Sequence, residues 1–275
     1  MILLVNDDGI AAPGLRALYR ALRRVTGIPV LAVAPLAERS GQGHAITLDR
    51  GLAVAHRLEE GFFGFSVDGT PVDCAKLALV ALCPEPPDLV VSGINDGPNV
   101  GRSLFYSGTV GAAMEAAVLG LPALAVSRAK GGESFDDAAE FAAQWAKRLL
   151  GKADLRGQVV NLNVPAGPLG TWKEARVTHH GQAGFTETYQ PQRDAKDRVV
   201  WRLHGEWTAT DGGACDAHTL HAGHPVVTVL SPDLNGTHQG LERLVRKLAR
   251  PSGPPGPEVR KSGSPEVGRS RDHSG

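Results

Sequence analysis

At 275 residues, 42% hydrophobic and 21% charged, the chain is long enough to bury one large core and has the make-up of an ordinary globular protein. Lys and Arg together number 29, as do Asp and Glu, so the formal net charge is zero and the basic excess of an electrostatic nucleic-acid binder is missing. Three cysteines, Cys74, Cys83 and Cys215, form no Cys-x-x-Cys pair and read as reduced thiols, not as a zinc site or disulfide framework.

The chain opens on Ile2-Leu3-Leu4-Val5, a short buried strand of a parallel sheet, and stops at Asn6-Asp7-Asp8-Gly9. Adjacent carboxylates on a strand would face opposite sides and be buried unpaired, so the pair belongs on the loop just beyond it. That rim is where open α/β sheets bind ligands. Pro13 begins a helix whose Leu15, Leu18, Tyr19, Leu22 and Val25 recur at helical spacing, and Gly27 ends it. Val30–Ala34 is a second buried strand, so the first three elements form a right-handed parallel unit. Its polar exit carries Ser40-Gly41-Gln42-Gly43-His44.

Residues 52–55 and 62–67 read as short strands of a side hairpin, and Asp68-Gly69-Thr70-Pro71 turns the chain into a helix over Val72–Leu82. Asp88–Val91 is a further buried strand, expected to stop at Ser92-Gly93-Ile94-Asn95-Asp96-Gly97. Tyr106-Ser107-Gly108-Thr109-Val110-Gly111 opens a helix of small residues through Leu119, closed by Gly120 and Pro122. Ala123–Val126 is a strand, Asp136–Leu150 an amphipathic helix, and Val159–Val164 a strand. The alternation then breaks. Segments 173–178, 184–190 and 198–204 read as an excursion of extended hairpins, followed by a strand over Pro225–Leu230 and a helix over Gln239–Ala249. From Pro251 onward 15 of 25 residues are Pro, Gly or Ser with no aromatic, too little to offset ordering entropy, so residues 251–275 are expected to be a disordered tail.

The resulting expectation is an α/β fold: a three-layer, Rossmann-like core with a mostly parallel sheet and an extended β-hairpin excursion in the C-terminal part. One domain spans residues 1–250, its core over about 1–165 and 206–250 and the excursion over about 166–205. The N-terminus has no basic region and meets Asn6-Asp7-Asp8 too early for a signal peptide. No segment approaches the roughly 18 apolar residues of a membrane span. A cytoplasmic protein is expected.

Three loops leave carboxyl ends of parallel strands with oxygen donors: Asp7 and Asp8 on the first, Ser40 on the second, Asn95 on the third. Carboxylate, hydroxyl and amide oxygens suit a hard divalent cation such as Mg²⁺ or Mn²⁺ with positions open to phosphate. Each also has a plainer role as a turn or cap residue. Ser107-Gly108-Thr109 opens a helix, where free N–H groups and the dipole favour an anion. It can equally be a simple N-cap. No P-loop or dinucleotide fingerprint is present.

Asn6-Asp7-Asp8-Gly9, Ser40-Gly41, Asp68-Gly69-Thr70-Pro71, Ser92-Gly93-Ile94-Asn95 and Tyr106–Ala113 resemble, in order, the motifs of the SurE family. These are stationary-phase survival proteins, metal-dependent nucleotidases of nucleoside 5′- and 3′-monophosphates. The resemblance covers about residues 1–235, and Asn161-Leu162-Asn163-Val164-Pro165 extends it. It implies one divalent ion per subunit held by Asp7, Asp8, Ser40 and Asn95, and a homodimer or homotetramer exchanging extended C-terminal segments. The late strand, Gly223-His224-Pro225-Val226-Val227-Thr228-Val229-Leu230, departs from the family's Gly-Tyr-Val-Ser pattern, as do Gly212-Gly213 and Cys215.

The function expected is hydrolysis of nucleoside monophosphates by metal-activated water attack, with Asp7 or Asp8 accepting the water proton. A phospho-aspartate route ranks lower, because both carboxylates are wanted as metal ligands. Asn6, Gly41, His44, Gly93, Ser107, Gly108 and Thr109 are expected on the phosphate or substrate side. His179-His180 and His218-x-x-His221 suit surface or packing roles, and Trp172, Trp201, Trp207, Phe185 and Tyr189 suit hairpin packing or a subunit interface, with base stacking open to one of them. The rivals are a non-catalytic nucleotide-binding module on the same scaffold and a receiver-like signalling domain. The latter would want a mid-sheet aspartate where Asn95 stands. Neither a nucleic-acid duplex nor a membrane is expected as a partner.

Overall fold

The computed structural model describes residues 1–208 and 215–234. Residues 1–233 form one unit. The second unit, Leu234–Gly275, lies outside the described residues but for Leu234, and with it the expected helix over Gln239–Ala249 and the tail.

The opening run forms β1 (Ile2–Val5), wholly buried. Its alternation sends Ile2 and Leu4 to one core and Leu3 and Val5 to the other. Helix α1 (Pro13–Thr26) has proline in its first turn and ends on Gly27 at φ +71°. Strand β2 (Val30–Pro35) lies parallel to β1. Strands β3 (Val54–Glu59) and β4 (Phe62–Val67) are antiparallel to each other, and β4 is parallel to β2. The hairpin expected at the side therefore extends the main sheet, and its first strand starts later than residue 52. Most of β3 is exposed, so no apolar run marked its ends.

Helix α2 (Pro71–Leu77) begins at a reciprocal cap, Thr70 with Asp73, and passes into a π-helical turn over Ala78–Leu82. Strand β5 (Leu89–Asp96) pairs with β1 on the side away from β2. It runs through the segment expected as loop. A 3₁₀ turn, Gly101–Tyr106, leads into α3 (Gly108–Val118). Strand β6 (Ala123–Arg128), helix α4 (Asp136–Leu149) and strand β7 (Val159–Val164) follow, with β6 parallel to β5 and β7 parallel to β6. The register between β5 and β6 shifts between Ser92 and Asn95.

The C-terminal part adds β8 (Arg176–Val177), the hairpin β9 (Gly184–Arg193) and β10 (Val199–Thr208), helix α5 (Asp216–His221) and β11 (Val226–Leu230). Helix α5 falls in a stretch, between residues 204 and 225, for which no element was expected. The main sheet has nine strands in the order β3-β4-β2-β1-β5-β6-β7-β11-β8, with β11 antiparallel to β7. The β9–β10 pair is a separate two-stranded sheet.

Helices α1 and α4 bury their alanine- and leucine-rich stripes on one face, and α2 and α3 theirs on the other. This placement fixes the hand of the crossovers. The β5-α3-β6 and β6-α4-β7 steps run the same way across the sheet, yet their helices lie on opposite faces. The β1-α1-β2, β4-α2-β5 and β5-α3-β6 steps share one hand, the right-handed one that twisted strands favour, and β6-α4-β7 is left-handed.

Candidate active site

The strand order reverses at β1: the chain first builds toward β2 and β4, then returns to β5 on the other flank. Beyond the carboxyl ends of β1 and β5 the outgoing loops therefore diverge and leave a crevice. Asp7 and Asp8 leave β1 there, and Asn95 ends β5 there.

Asn6 shapes the acidic loop. Its Nδ2 donates to Gly9 O (3.0 Å) and its Oδ1 accepts the Gly9 N–H (3.2 Å), so the fully buried amide closes the turn. Asp7 is 4% exposed. Its Oδ1 accepts the Thr109 hydroxyl at 2.5 Å. A Cβ on Gly108 would stand 2.8 Å from Asp7 Cβ and 2.9 Å from Pro71 Cγ. Glycine at 108 thus lets the N-terminus of α3 close onto Asp7, and the Asp68-Gly69-Thr70-Pro71 segment supplies the other wall. Burial raises the Asp7 carboxyl above its ordinary range, outweighing the Thr109 hydroxyl and N–H bonds that lower it. Asp8, half-buried, is pushed from 3.8 to about 7 by burial, then by Asp7, Glu38 and Asp96, against an Asp96 N–H bond that lowers it.

The second loop is lashed across the first. Arg39 N–H donates to Asp7 O (2.8 Å), and the Arg39 side chain pairs with Asp68 (3.1 Å) together with Arg50 (3.1 Å). Ser40 is exposed, its hydroxyl donating to Glu38 (2.6 Å), and Gly41 beside it sits at φ +73° in open space. Thr47 N–H and hydroxyl both reach Asp73. His44 meets Glu115 of α3 (2.8 Å), which Lys76 of α2 also pairs. Burial opposes ionisation of Glu115, yet Lys76 and His44 together hold its carboxyl below the usual range. His44 therefore anchors the loop to the two helices, and no contact joins it to the aspartates.

At the third loop, Asn95 donates its Nδ2 to Gly97 O (2.7 Å), which leaves its carbonyl oxygen as an acceptor at the strand end. Gly93 lies inside β5, buried, where a Cβ would meet Val126 O at 2.3 Å. Its glycine serves the close approach of β6. Ser107 is the N-cap of α3, its Oγ accepting the Val110 N–H (3.1 Å). Thr109 is fully buried with its hydroxyl spent on Asp7.

Among the described residues no Lys, Arg or His side chain forms an ion pair with Asp7 or Asp8. Glu38 and Asp96 stand beside the pair, and Arg128 pairs with Asp96 (2.9 Å) and with neither Asp7 nor Asp8. Nor do the described residues hold a group of three His, Cys, Asp or Glu that could bind a metal. The donors on offer are instead two carboxylates, an amide and a hydroxyl, all oxygen. Their chemistry fits a hard divalent ion and not zinc.

The sequence also matches the family described as "Survival protein SurE" over residues 2–187. The chain belongs to the SurE family. The 5'-nucleotidase SurE of Maridesulfovibrio salexigens is 42% identical over 234 residues, covering 84% of this chain and 93% of that one. That of Symbiobacterium thermophilum is 41% identical over 248 residues, covering 89% and 96%. The crystal structure of the SurE protein from Aquifex aeolicus superimposes with a TM-score of 0.76 at 32% identity, covering 90% of this chain and 98% of that chain. The mostly parallel, Rossmann-like sheet read from the sequence is thus the SurE fold.

Sequence reasoning passed over four side chains that shape this SurE site. Glu38 faces both aspartates and holds Ser40; its place two residues before Ser40 was the available signal. Glu115 and Lys76 anchor His44 across helices that the sequence does not bring together. Asp216, fully buried, accepts N–H bonds from Gly101 (2.9 Å), Gly181 (3.0 Å) and Ala217 (2.8 Å) and so fixes the turn that precedes Ser107. No helix among the described residues is long and apolar enough to cross a membrane. The three cysteines are free thiols, and burial raises Cys74 and Cys83.

Proposed function

We propose that this chain is a 5'-nucleotidase, also active on 3'-monophosphates, that depends on one Mg²⁺ or Mn²⁺ ion and releases phosphate from nucleoside monophosphates. The observation that carries the reading is Asp7 and Asp8 at the switch point of the sheet, without an ion-pair partner among the described residues, in a SurE-family chain. Asp7, Asp8, Ser40 and Asn95 would hold the ion. When bound, it supplies Lewis acidity toward phosphorus and makes water a nucleophile near neutral pH.

The chain's own residues do the rest. Thr109 orients Asp7 through a hydroxyl bond to its Oδ1, and Oδ2 lies beside Gly108 at the start of α3. The Gly108 N–H at the start of α3 and the Ser107 hydroxyl, as a donor, can meet the charge that develops on the phosphoryl oxygens, the Thr109 and Val110 N–H groups being spent on Asp7 and Ser107. Asp7 or Asp8 would receive the proton of the attacking water. Arg39, Arg50 and Asp68 hold the loop of Ser40 against the acidic loop, so that donors from separate strands stay in register.

Assembly into dimers or tetramers through the C-terminal segments is part of the same proposal. An isolated two-stranded ribbon is marginal in water. Hairpin β9–β10 nonetheless leaves Tyr189, Val199, Trp201 and Leu203 mostly exposed, an apolar surface suited to a second copy.

The test is phosphate release from AMP by EDTA-treated protein, before and after Mn²⁺ or Mg²⁺ is added. Release that requires the added ion supports the reading. Release at full rate in EDTA, or none from any nucleotide with either ion, contradicts it.

A further inference from the structure

Strand β7 carries Asn161 and Asn163 in line with Val159, on the face that α3 covers, while Val160, Leu162 and Val164 fill the opposite core. A strand enclosed between β6 and β11 would ordinarily place apolar side chains on both faces. Asparagine is depleted in strands, and its amide is costly to bury without partners. Yet Asn161 is fully buried and Asn163 nearly so, and Asn161 Oδ1 has no hydrogen-bond partner among the described residues.

Both amides close on one residue of the third loop. Asn163 Oδ1 accepts the Asn99 N–H (2.7 Å), and the Nδ2 groups of Asn163 (3.1 Å) and Asn161 (3.0 Å) both donate to Asn99 O. The Asn99 side chain in turn donates to the Ser127 hydroxyl of β6 at 2.8 Å. Side chains of β6 and β7 thus satisfy backbone and side-chain groups that this buried loop residue would otherwise leave unpaired.

Asn99 lies between the two halves of the site. Asn95, Ser127 and Asn163 are successive partners across β5, β6 and β7, so the loop that leaves Asn95 is tied back to the row in which Asn95 stands. Two residues before Asn99, Gly97 O accepts the Asn95 Nδ2, the bond that leaves the Asn95 carbonyl oxygen as an acceptor. Two residues after it, the Gly101 N–H is held by Asp216, and the 3₁₀ turn runs from there to the α3 cap Ser107. Freeing Asn99 would let the Gly97 carbonyl move, and the Asn95 amide with it.

We propose that Asn163, with Asn161 and Ser127, is a positioning residue for the divalent ion: it fixes Asn99 and, through the Gly97 carbonyl, sets the orientation in which Asn95 offers its oxygen. The inference rests on Asn95 being a ligand, as in the proposed function. Groups that orient a metal ligand commonly govern about 10- to 100-fold of the affinity.

The test titrates EDTA-treated wild type, Asn163→Ala, Ser127→Ala and Leu162→Ala with Mn²⁺, reads free ion by electron paramagnetic resonance, and follows amide hydrogen exchange over residues 97–107 without metal. Leu162 stands between the two asparagines but faces the other core, so its truncation controls for lost stability alone. We expect Asn163→Ala to weaken Mn²⁺ binding about tenfold or more and to speed exchange over 97–107, with Ser127→Ala doing the same to a smaller extent. Leu162→Ala should lower the melting temperature and leave Mn²⁺ affinity close to wild type. Unchanged affinity in Asn163→Ala, or affinity that tracks the melting temperature across the three variants, overturns the proposal. Ser127→Ala removes a single hydroxyl and decides the matter if Asn163→Ala does not fold: weakened binding supports the proposal and unchanged binding overturns it. Wild type that binds no Mn²⁺ refutes the metal reading itself. Exchange over 97–107 then tests the clamp, faster rates in the Asn163 or Ser127 variant supporting it and unchanged rates overturning it.

Discussion

At the scale of the residue, Asp8, with Asp7 raised beside it, makes the metal-free protein sensitive to pH. Its carboxyl keeps a proton in the folded chain up to about pH 7, whereas the unfolded chain loses that proton near 3.8. The folded state binds the extra proton between those values, so stability falls as pH rises through this window. Asp8→Asn removes the ionisable group, and in EDTA it should melt several degrees above wild type at pH 8, with the difference shrinking toward pH 5. Scanning calorimetry across that range checks it, and parallel curves would contradict it. The same exchange should abolish most turnover while the fold persists, the usual conflict between a functional site and stability. Residue types were readable here before their partners were. Two aspartates after a buried strand already pointed to the sheet rim. That Asn6 closes its own turn, that Thr109 spends its hydroxyl on Asp7, and that Glu38 crowds the pair depend on contacts across loops.

At the scale of the element, the start of α3 is a machined contact. Gly108→Ala would force a methyl to within 2.8 Å of Asp7 Cβ and 2.9 Å of Pro71 Cγ. Neither neighbour can yield without moving the acidic loop or α2. We expect a loss of about 1–3 kcal/mol of stability by denaturant unfolding, and weaker metal binding than wild type. A neutral outcome on both would show that the approach is looser than drawn. Asp216 is the counterpart beneath the 3₁₀ turn. Asp216→Ala would orphan three backbone N–H groups, two of them on distant loops, for a cost of about 2–5 kcal/mol. Urea melts read it directly. The elements with apolar runs or helical periodicity, β1, α1, β2, α3 and α4, were legible almost residue by residue. Those without them were not. Exposed β3 gave no pattern, the polar end of β5 read as loop, and the six-residue α5, with two histidines, gave no helical stripe.

At the scale of the whole molecule, the arrangement of strands turns separate motifs into a site. Asn95 lies 87 residues beyond Asp8 in sequence, and only the return of the chain to the other flank of β1 places it on one crevice with Asp7 and Asp8. Alternation of strands and helices predicted the parallel sheet. It did not predict the left-handed β6-α4-β7 step, since no local pattern encodes the face on which a crossover helix lands. Removal of residues 189–203, which carry Tyr189, Val199, Trp201 and Leu203, should cut the exposed apolar ribbon and leave a smaller species in sedimentation than the full chain. An unchanged mass would show that the ribbon plays no part in assembly. The central claim is that the acidic pair holds a divalent ion for phosphate chemistry. It is tested most directly by titrating EDTA-treated protein with Mn²⁺ and reading free ion by electron paramagnetic resonance, for wild type and Asp8→Asn. The account predicts one tightly held ion per wild-type chain and none on folded Asp8→Asn. Equal binding by the two would contradict it.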